Sequence, residues 1–402
     1  MSAAPRHAAP VTLRLLAMIL AALAMIGPFT IDTYLPSFPY IAAELQATPA
    51  QMQQTLSLYL FTVALMTLFH GTLSDSFGRK PVILASLALY VVTAIGCALA
   101  ASFAHLLFWR GVQGLAAGAG IIVGRAIIRD SFAGHEAQRL MSLVTMIFGI
   151  APAIAPVIGG WLQGAIGWRA IFWFLASYGI VLLIAAAQRL PETHPVAARH
   201  PFHAVPLLRN YLRLGGDRRL VLLCLAIALN FAGFFLYVVS APAVIYDLLG
   251  MTERDFAWLF IPGIGGVMFG AFLSGRLAER LSPRRTIYAG YSIMAGAAAF
   301  NIGYCAVFPP ALPWTVLPVM IYSTGMALAM PSVSLLALDL FPQLRGMTSS
   351  LQGFAHSLIA GLAAGVVSPL VSGSALMLAL AMGGLLLLGW LAWMRYLGVA
   401  DE

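Results

Sequence analysis

Long apolar runs, separated by short turns rich in polar residues, glycine or proline, cover almost the whole chain. They fall near 12–40, 51–74, 81–101, 103–128, 137–163, 168–188, 219–245, 255–278, 286–308, 313–338, 347–371 and 375–394. A helix needs ~20 apolar residues to cross a bilayer, and the runs are of that order. The pattern predicts an all-α polytopic membrane protein with twelve transmembrane helices. Several runs contain Pro or Gly, which membrane helices tolerate. One polar connection is long, and it divides the chain into an N-terminal six-helix bundle (1–188), a central loop (189–218) and a C-terminal six-helix bundle (219–402).

The basic residues orient this pattern. With the N-terminus inside, the inner segments hold Arg6, Arg14, Arg79, Lys80, Arg125, Arg129, Arg139, Arg189, Arg199, Arg209, Arg213, Arg218, Arg219, Arg276, Arg280, Arg284, Arg285, Arg345 and Arg395, which is 19 of the 22 Lys and Arg residues. Arg169 and Arg254 fall outside and Arg110 falls within a run. Such a bias places both termini in the cytoplasm of a multi-pass inner-membrane protein. Composition agrees: 61% of residues are apolar, 9% are charged and the mean hydropathy is +0.91, against about 25% charged residues in soluble proteins. The net charge of +8 then reports orientation. Without a basic patch interleaved with aromatics, a nucleic-acid partner is excluded. Arg6, Arg14 and the small residues Ala22-Leu23-Ala24 mimic a signal peptide, but cleavage there would leave an odd number of spans, so the run is taken as the first helix. Cys97, Cys224 and Cys305 lie inside apolar runs and read as buried small hydrophobes, with no disulfide framework and no metal spacing.

Three features carry chemistry. Gly71-Thr72-Leu73-Ser74-Asp75-Ser76-Phe77-Gly78-Arg79-Lys80 is a charged, glycine-punctuated turn between the second and third runs. It reads either as a topological marker or as a gate whose charges pair differently in two states, and the gate is favoured. Gly275-Arg276-Leu277-Ala278-Glu279-Arg280 echoes it in the second half, as expected of two parallel-repeated bundles. Charges inside a membrane need a reason, which singles out Asp32 in the first run and Arg110 in the fourth. At 1.5 Å per residue both lie roughly 10 Å below the outer surface, so the two can face one another across a polar cavity. A carboxyl there is pushed one way by desolvation and the other by an arginine, which suits a proton carrier. In the fifth run Pro152, Pro156, Gly159 and Gly160 form a Pro-x-x-x-Pro-x-x-Gly-Gly pattern that removes backbone donors and permits close helix contact.

The turn's G-x-L-x-D-x-x-G-R-K spacing resembles the signature of the major facilitator superfamily, and the fifth-run pattern resembles the antiporter signature of its drug exporters. Gln53-Gln54-Thr55-Leu56-Ser57-Leu58-Tyr59, Arg110-x-x-Gln113-Gly114, Gly167-Trp168-Arg169 and Leu190-Pro191-Glu192-Thr193 occur in family order. The chain is therefore similar to Bcr/CflA-type drug:proton antiporters. The resemblance implies a central cavity lined by the first, fourth, seventh and tenth helices. It also implies an inner clasp in which Asp75, Arg79 and Asp130 interact near the start of the eleventh helix. Ser76 stands where the family often has a basic residue, and Ser282 stands where the first half has Gly78.

Candidate cavity residues are Tyr34, Tyr59, Gln113, Asn230, Tyr237 and Tyr322, with Phe234, Phe235 and Met326 as apolar walls. Such sparse polarity favours neutral or amphiphilic small molecules. His356 reads as a core histidine before a proton relay, and Asp339 and Arg345 read as topological. Lys80 is the one lysine and Pro81 follows it, so there is no Gly-Lys-Ser/Thr phosphate loop and no helix lysine for a retinal Schiff base. The expectation is a proton-driven exporter, not an enzyme. It needs no cofactor or metal, is monomeric, and has the lipid bilayer, protons and a small drug as partners; the drug classes in view are bicyclomycin-, chloramphenicol- or sulfonamide-like compounds. The alternative is a facilitator or exporter of a sugar, nucleoside, amino acid or siderophore.

Overall fold

The computed structural model describes residues 13–199, 202–278 and 280–400. Arg6 of the charge count, Glu279 of the second-half turn and both chain ends lie outside the described residues. Those described are helical, with no strand among them.

In the N-terminal half, α1 (Leu13–Asp32) is followed by a 3-10 turn (Leu35–Ser37) and a short helix (Phe38–Glu44). Pro36 and Pro39 explain the interruption, because neither can donate to the helical ladder. Thr48 opens α2 (Pro49–Thr67) with a reciprocal cap: its Oγ1 accepts from the Gln51 amide at 3.2 Å, and the Gln51 side chain accepts from the Thr48 amide at 2.7 Å. After a 48° bend α2 continues as His70–Phe77. The Thr62 and Thr67 hydroxyls bond back to carbonyls one turn earlier, a habit that bends helices. Gly78 alone separates this segment from α3 (Arg79–Ala98), and its φ of 101° lies where only glycine is at ease. Next come α4 (Phe103–Ala117 and Ala119–Ser131, broken at Gly118), α5 (Gly134–Ala165) and α6 (Arg169–Arg189). The 32-residue α5 runs on through Pro152 and Pro156.

The C-terminal half holds α7 (Arg218–Val239, then a π-helical turn Ala243–Leu248), α8 (Ala257–Leu277), α9 (Pro283–Val307) and α10 (Leu317–Asp339). It ends with α11 (Arg345–Leu362, prolonged through Ala363–Val367 and Ser368–Val371) and α12 (Ala375–Ala400). Among the described residues ten helices are long and apolar enough to cross a membrane, and bent α2 makes eleven. At 25 residues α9 is also long enough, but its glycines, tyrosines and Asn301 dilute its hydropathy. With it the expected twelve are reached.

The central loop is more ordered than its polarity suggests. Ala204–Gly216 forms a linker helix that packs on α7 and α11. Leu207, Tyr211 and Leu214 are buried, and the Tyr211 hydroxyl donates to the Leu68 carbonyl at 2.8 Å. The two halves meet along α2–α11 and α5–α8. The helix ends bearing Arg79, Lys80, Arg129, Arg219 and Arg345 form a basic end. Glu44, Trp168 and Glu253 mark the opposite end.

Candidate functional site

Arg110 lies at the centre of the N-terminal half and is fully buried. Gly114, one turn on, makes this possible: a Cβ there would strike the Tyr59 carbonyl and the Thr62 hydroxyl, so α4 rests directly on the α2 backbone. The Arg110 guanidinium is thereby brought over the Tyr59 ring at 4.5 Å and the Tyr34 ring at 4.7 Å. A cation between two aromatic faces in a dry site is attracted by both ring quadrupoles. Its Nη1 donates to Gln113 Oε1 at 2.7 Å and to the Thr30 carbonyl at 3.3 Å, while Nε and Nη2 have no hydrogen-bond partner among the described residues. Thr30 also bonds Tyr90 (2.7 Å), and Tyr34 bonds Thr55 (2.9 Å). Four of the expected residues, Arg110, Gln113, Tyr34 and Tyr59, thus form one cage. Thr30, Thr55 and Tyr90 complete it; Thr55 stood in the stretch that carries the family resemblance, whereas Thr30 and Tyr90 were not singled out from sequence, although a polar residue in an apolar run is the signal that could have found them.

Asp32 is 4% exposed and lies two residues beyond Thr30, whose carbonyl accepts from Arg110. Among the described residues it has neither a hydrogen-bond nor an ion-pair partner. The arginine and the aspartate therefore share a region without a salt bridge, and Arg110 is held by aromatic faces instead.

At the basic end Arg79 binds both expected acids: its Nη1 pairs with Asp75, and its Nε meets Asp130 Oδ2 at 2.9 Å. Nη1 also donates to Ser74 Oγ at 2.7 Å. Sequence reasoning missed the other side of this clasp. The Glu192 carboxylate accepts from the Arg79 backbone amide at 3.0 Å, capping a helix whose N-cap residue, Gly78, has no side chain to do so. Thr193 reaches Asp130 at 3.2 Å, Lys80 Nζ reaches the Ala187 carbonyl at 2.7 Å, and Arg199 pairs with Glu192 at 3.5 Å. A Cβ on Gly78 would overlap Glu192 and Arg199. Gly71 has no neighbour that forbids a side chain. Asp75 is half exposed, and its ion pair stays inside the N-terminal half.

The opposite end is sealed between halves. Tyr40 donates to Glu253 Oε2 at 2.9 Å and Tyr246 donates to the Pro36 carbonyl at 2.6 Å. Gln53 Nε2 donates to the Val239 carbonyl at 2.8 Å, and Ser57 donates to the Gly361 carbonyl at 2.8 Å. The glycine pair on α5 belongs to this seal. A Cβ on Gly159 would strike the Thr33 carbonyl just past the end of α1, and one on Gly160 would strike the Glu253 carbonyl from the other half. Below them, Pro156 is buried and Pro152 is partly so.

The remaining candidates pack inside the C-terminal half. Asn230 donates to the Tyr291 hydroxyl at 2.8 Å, Asn301 donates to the Tyr237 hydroxyl at 2.7 Å, and Tyr322 donates to the Asn230 carbonyl at 3.1 Å. Phe234 and Tyr237 line a void of about 10 Å³ between α7, α8 and α10; Phe235 and Met326 are buried. His356 lies against Phe231 with ring centroids 3.9 Å apart. Asp339 and Arg345 pair with each other at 2.8 Å.

The sequence profile of the Major Facilitator Superfamily matches residues 17–365. The chain is 29% identical over 385 residues to a bicyclomycin resistance protein homolog of Haemophilus influenzae, covering 94% of each. It is 32% identical over 360 residues to the uncharacterized MFS-type transporter YdgK of Bacillus subtilis, covering 89% of this chain and 88% of the relative. It is 27% identical over 380 residues to multidrug resistance protein D of Escherichia coli, covering 94% and 95%. Among solved structures, a bacterial homolog of the human lysosomal transporter Spinster, inward-facing and occupied, superposes with a TM-score of 0.76 at 19% identity, covering 98% of each chain.

Proposed function

Because the chain belongs to the Major Facilitator Superfamily and is thus a transporter rather than an enzyme, we propose that it is a proton-coupled exporter of small antimicrobial molecules. It works by alternating access in the inner membrane, as a monomer and without a cofactor. The observation that carries this reading is the placement of Asp32. It is a buried carboxyl with no partner among the described residues, two residues beyond the Thr30 carbonyl that the caged arginine binds, between a seal at one end and an ionic clasp at the other. The names of relatives in two genera, a bicyclomycin resistance protein homolog and a multidrug resistance protein, favour a drug as cargo.

The basic end is cytoplasmic by its arginines, so the seal through Glu253 closes the outer side and substrate enters from within. Asp32 takes a proton from outside when the seal opens and loses it inward when the two halves part at the basic end. Arg110 supplies a fixed positive charge, which makes the ionised form of Asp32 and a bound substrate alternatives. Each proton returning down 100 mV supplies about 2.3 kcal/mol, enough for a roughly fifty-fold gradient of a neutral drug.

Expression in a pump-deficient bacterium tests the reading. Susceptibility to bicyclomycin, chloramphenicol or a sulfonamide should fall several-fold, and a protonophore should abolish the protection. Unchanged susceptibility together with downhill uptake of a sugar, nucleoside or amino acid would replace the exporter by a facilitator.

A further inference from the structure

The half of α4 nearest the basic end is packed by α1, the lower segment of α2, α3 and α5. These neighbours bury Gly120, Val123, Gly124, Ala126, Ile127 and Ile128. One stripe is left uncovered: partly exposed Ile121 and Ile122, then exposed Arg125 and Arg129. With helices of its own half on its other sides, this stripe is a face that the N-terminal half leaves open. Arg125 lies six residues before the end of α4 at Ser131, roughly 9 Å into the helix.

Neither arginine has an ion-pair or hydrogen-bond partner among the described residues, and the two stand one helical turn apart on α4. The paired acids of the basic end are committed to other arginines. Asp75 and Asp130 hold Arg79, Glu192 holds Arg199, Asp217 holds Arg219, and Asp339 holds Arg345. Glu136, without a partner among the described residues, stands beyond the α4–α5 turn, in the first turn of α5. Guanidinium groups present a planar fork suited to carboxylate and sulfonate.

We propose that Arg125 and Arg129 form an anion seat in the cleft, so that the substrates handled best are amphiphilic molecules with a carboxylate or sulfonate beside an apolar body. This rests on the export reading above, and it narrows the neutral or amphiphilic class expected from sequence. The seat also disciplines the cycle. Closing the basic end would press an unpaired charged stripe against the other half, and burying an uncompensated charge is strongly disfavoured. A bound anion neutralises the stripe, so the loaded transporter closes more readily than the empty one.

The test is equilibrium binding of 2-naphthoate and 2-naphthamide to the purified full-length protein, two probes alike in shape and different in charge. The parent should bind the acid at least tenfold more tightly, and the preference should shrink as salt is raised. Arg125→Gln should bring the two affinities within about twofold, and Arg125→Lys should keep part of the difference, because charge without the fork remains. Equal affinities in the parent, or a preference that survives the Arg125→Gln/Arg129→Gln double variant, overturns the seat. If the variants do not fold, a salt-insensitive preference in the parent overturns it as well. Protonophore-sensitive export of chloramphenicol, measured on the same parent, judges the export reading separately. Export with no charge preference refutes the seat alone, and charge preference without export supports the seat while removing the exporter.

Discussion

Arg110 is held by ring faces rather than by a counter-ion, and this makes its environment testable one atom at a time. Tyr59→Phe keeps the face and should leave transport within about twofold, whereas Tyr59→Leu removes it and should cost at least about tenfold, in line with a desolvated cation–π contact of about 2 kcal/mol. Arg110→Lys should restore only part of what Arg110→Ala loses, because the flat guanidinium fills the slot between the rings. Initial export rates in membrane vesicles check both. Gly160 is the other residue with a sharp consequence. Any side chain there meets the Glu253 carbonyl, so Gly160→Val should hold the seal apart. Labels at Tyr40 and Arg254 should then show a longer mean distance by electron spin resonance than in the parent, with at least a tenfold loss of export.

Among the elements, the basic-end clasp joins α2, α3, α4 and the segment after α6. Asp75 on Arg79 was legible because charges in a short turn stand out against apolar runs, and Asp130 because the family resemblance implied it. Glu192 was not, since nothing in Leu190-Pro191-Glu192-Thr193 says that its carboxylate will cap a helix begun 113 residues earlier. We expect Asp75→Asn to weaken closure of the basic end. Spin labels at Phe77 and Gln343 should shift toward longer distances and transport should slow, with substrate binding retained. An unchanged distance distribution would reduce the turn to a topological marker. The linker helix was also missed, because length and polarity were read there rather than the spacing of Leu207, Tyr211 and Leu214. Its junction with α7 is pH-sensitive in a defined direction. Burial pushes the Asp217 carboxyl up, but the Leu220 amide, the Arg219 side chain and the Arg219 amide outweigh it and hold it below its usual value. A lowered carboxyl stabilises the fold above its unfolded value, near 3.9, and that contribution is lost as pH falls through the lower folded value. Asp217→Ala should therefore lower thermal stability by about 1 kcal/mol at pH 7 and by much less well below pH 4, as melting curves at the two pH values would show.

At the scale of the whole molecule the helices were readable because a bilayer demands long apolar spans, and the apolar runs locate α1 to α12 closely. Pairings between halves were not readable. The hydrogen bond from Gln53 to the Val239 carbonyl and the fit of Gly160 against Glu253 depend on which end is closed, and one sequence encodes more than one such state. For the same reason Asp32 could be placed in depth but not paired: residue spacing gives height along a helix, whereas the partner is set by how α1, α2 and α4 rotate against one another. The central claim is that this one carboxyl exchanges a proton for the drug. Proton release from the detergent-purified protein on addition of a transported drug, followed in weakly buffered solution with a pH-sensitive dye, tests it most directly. The parent should release protons in a saturable manner and Asp32→Asn should release none while still binding the drug. Equal release from Asp32→Asn would place the coupling elsewhere and contradict the account.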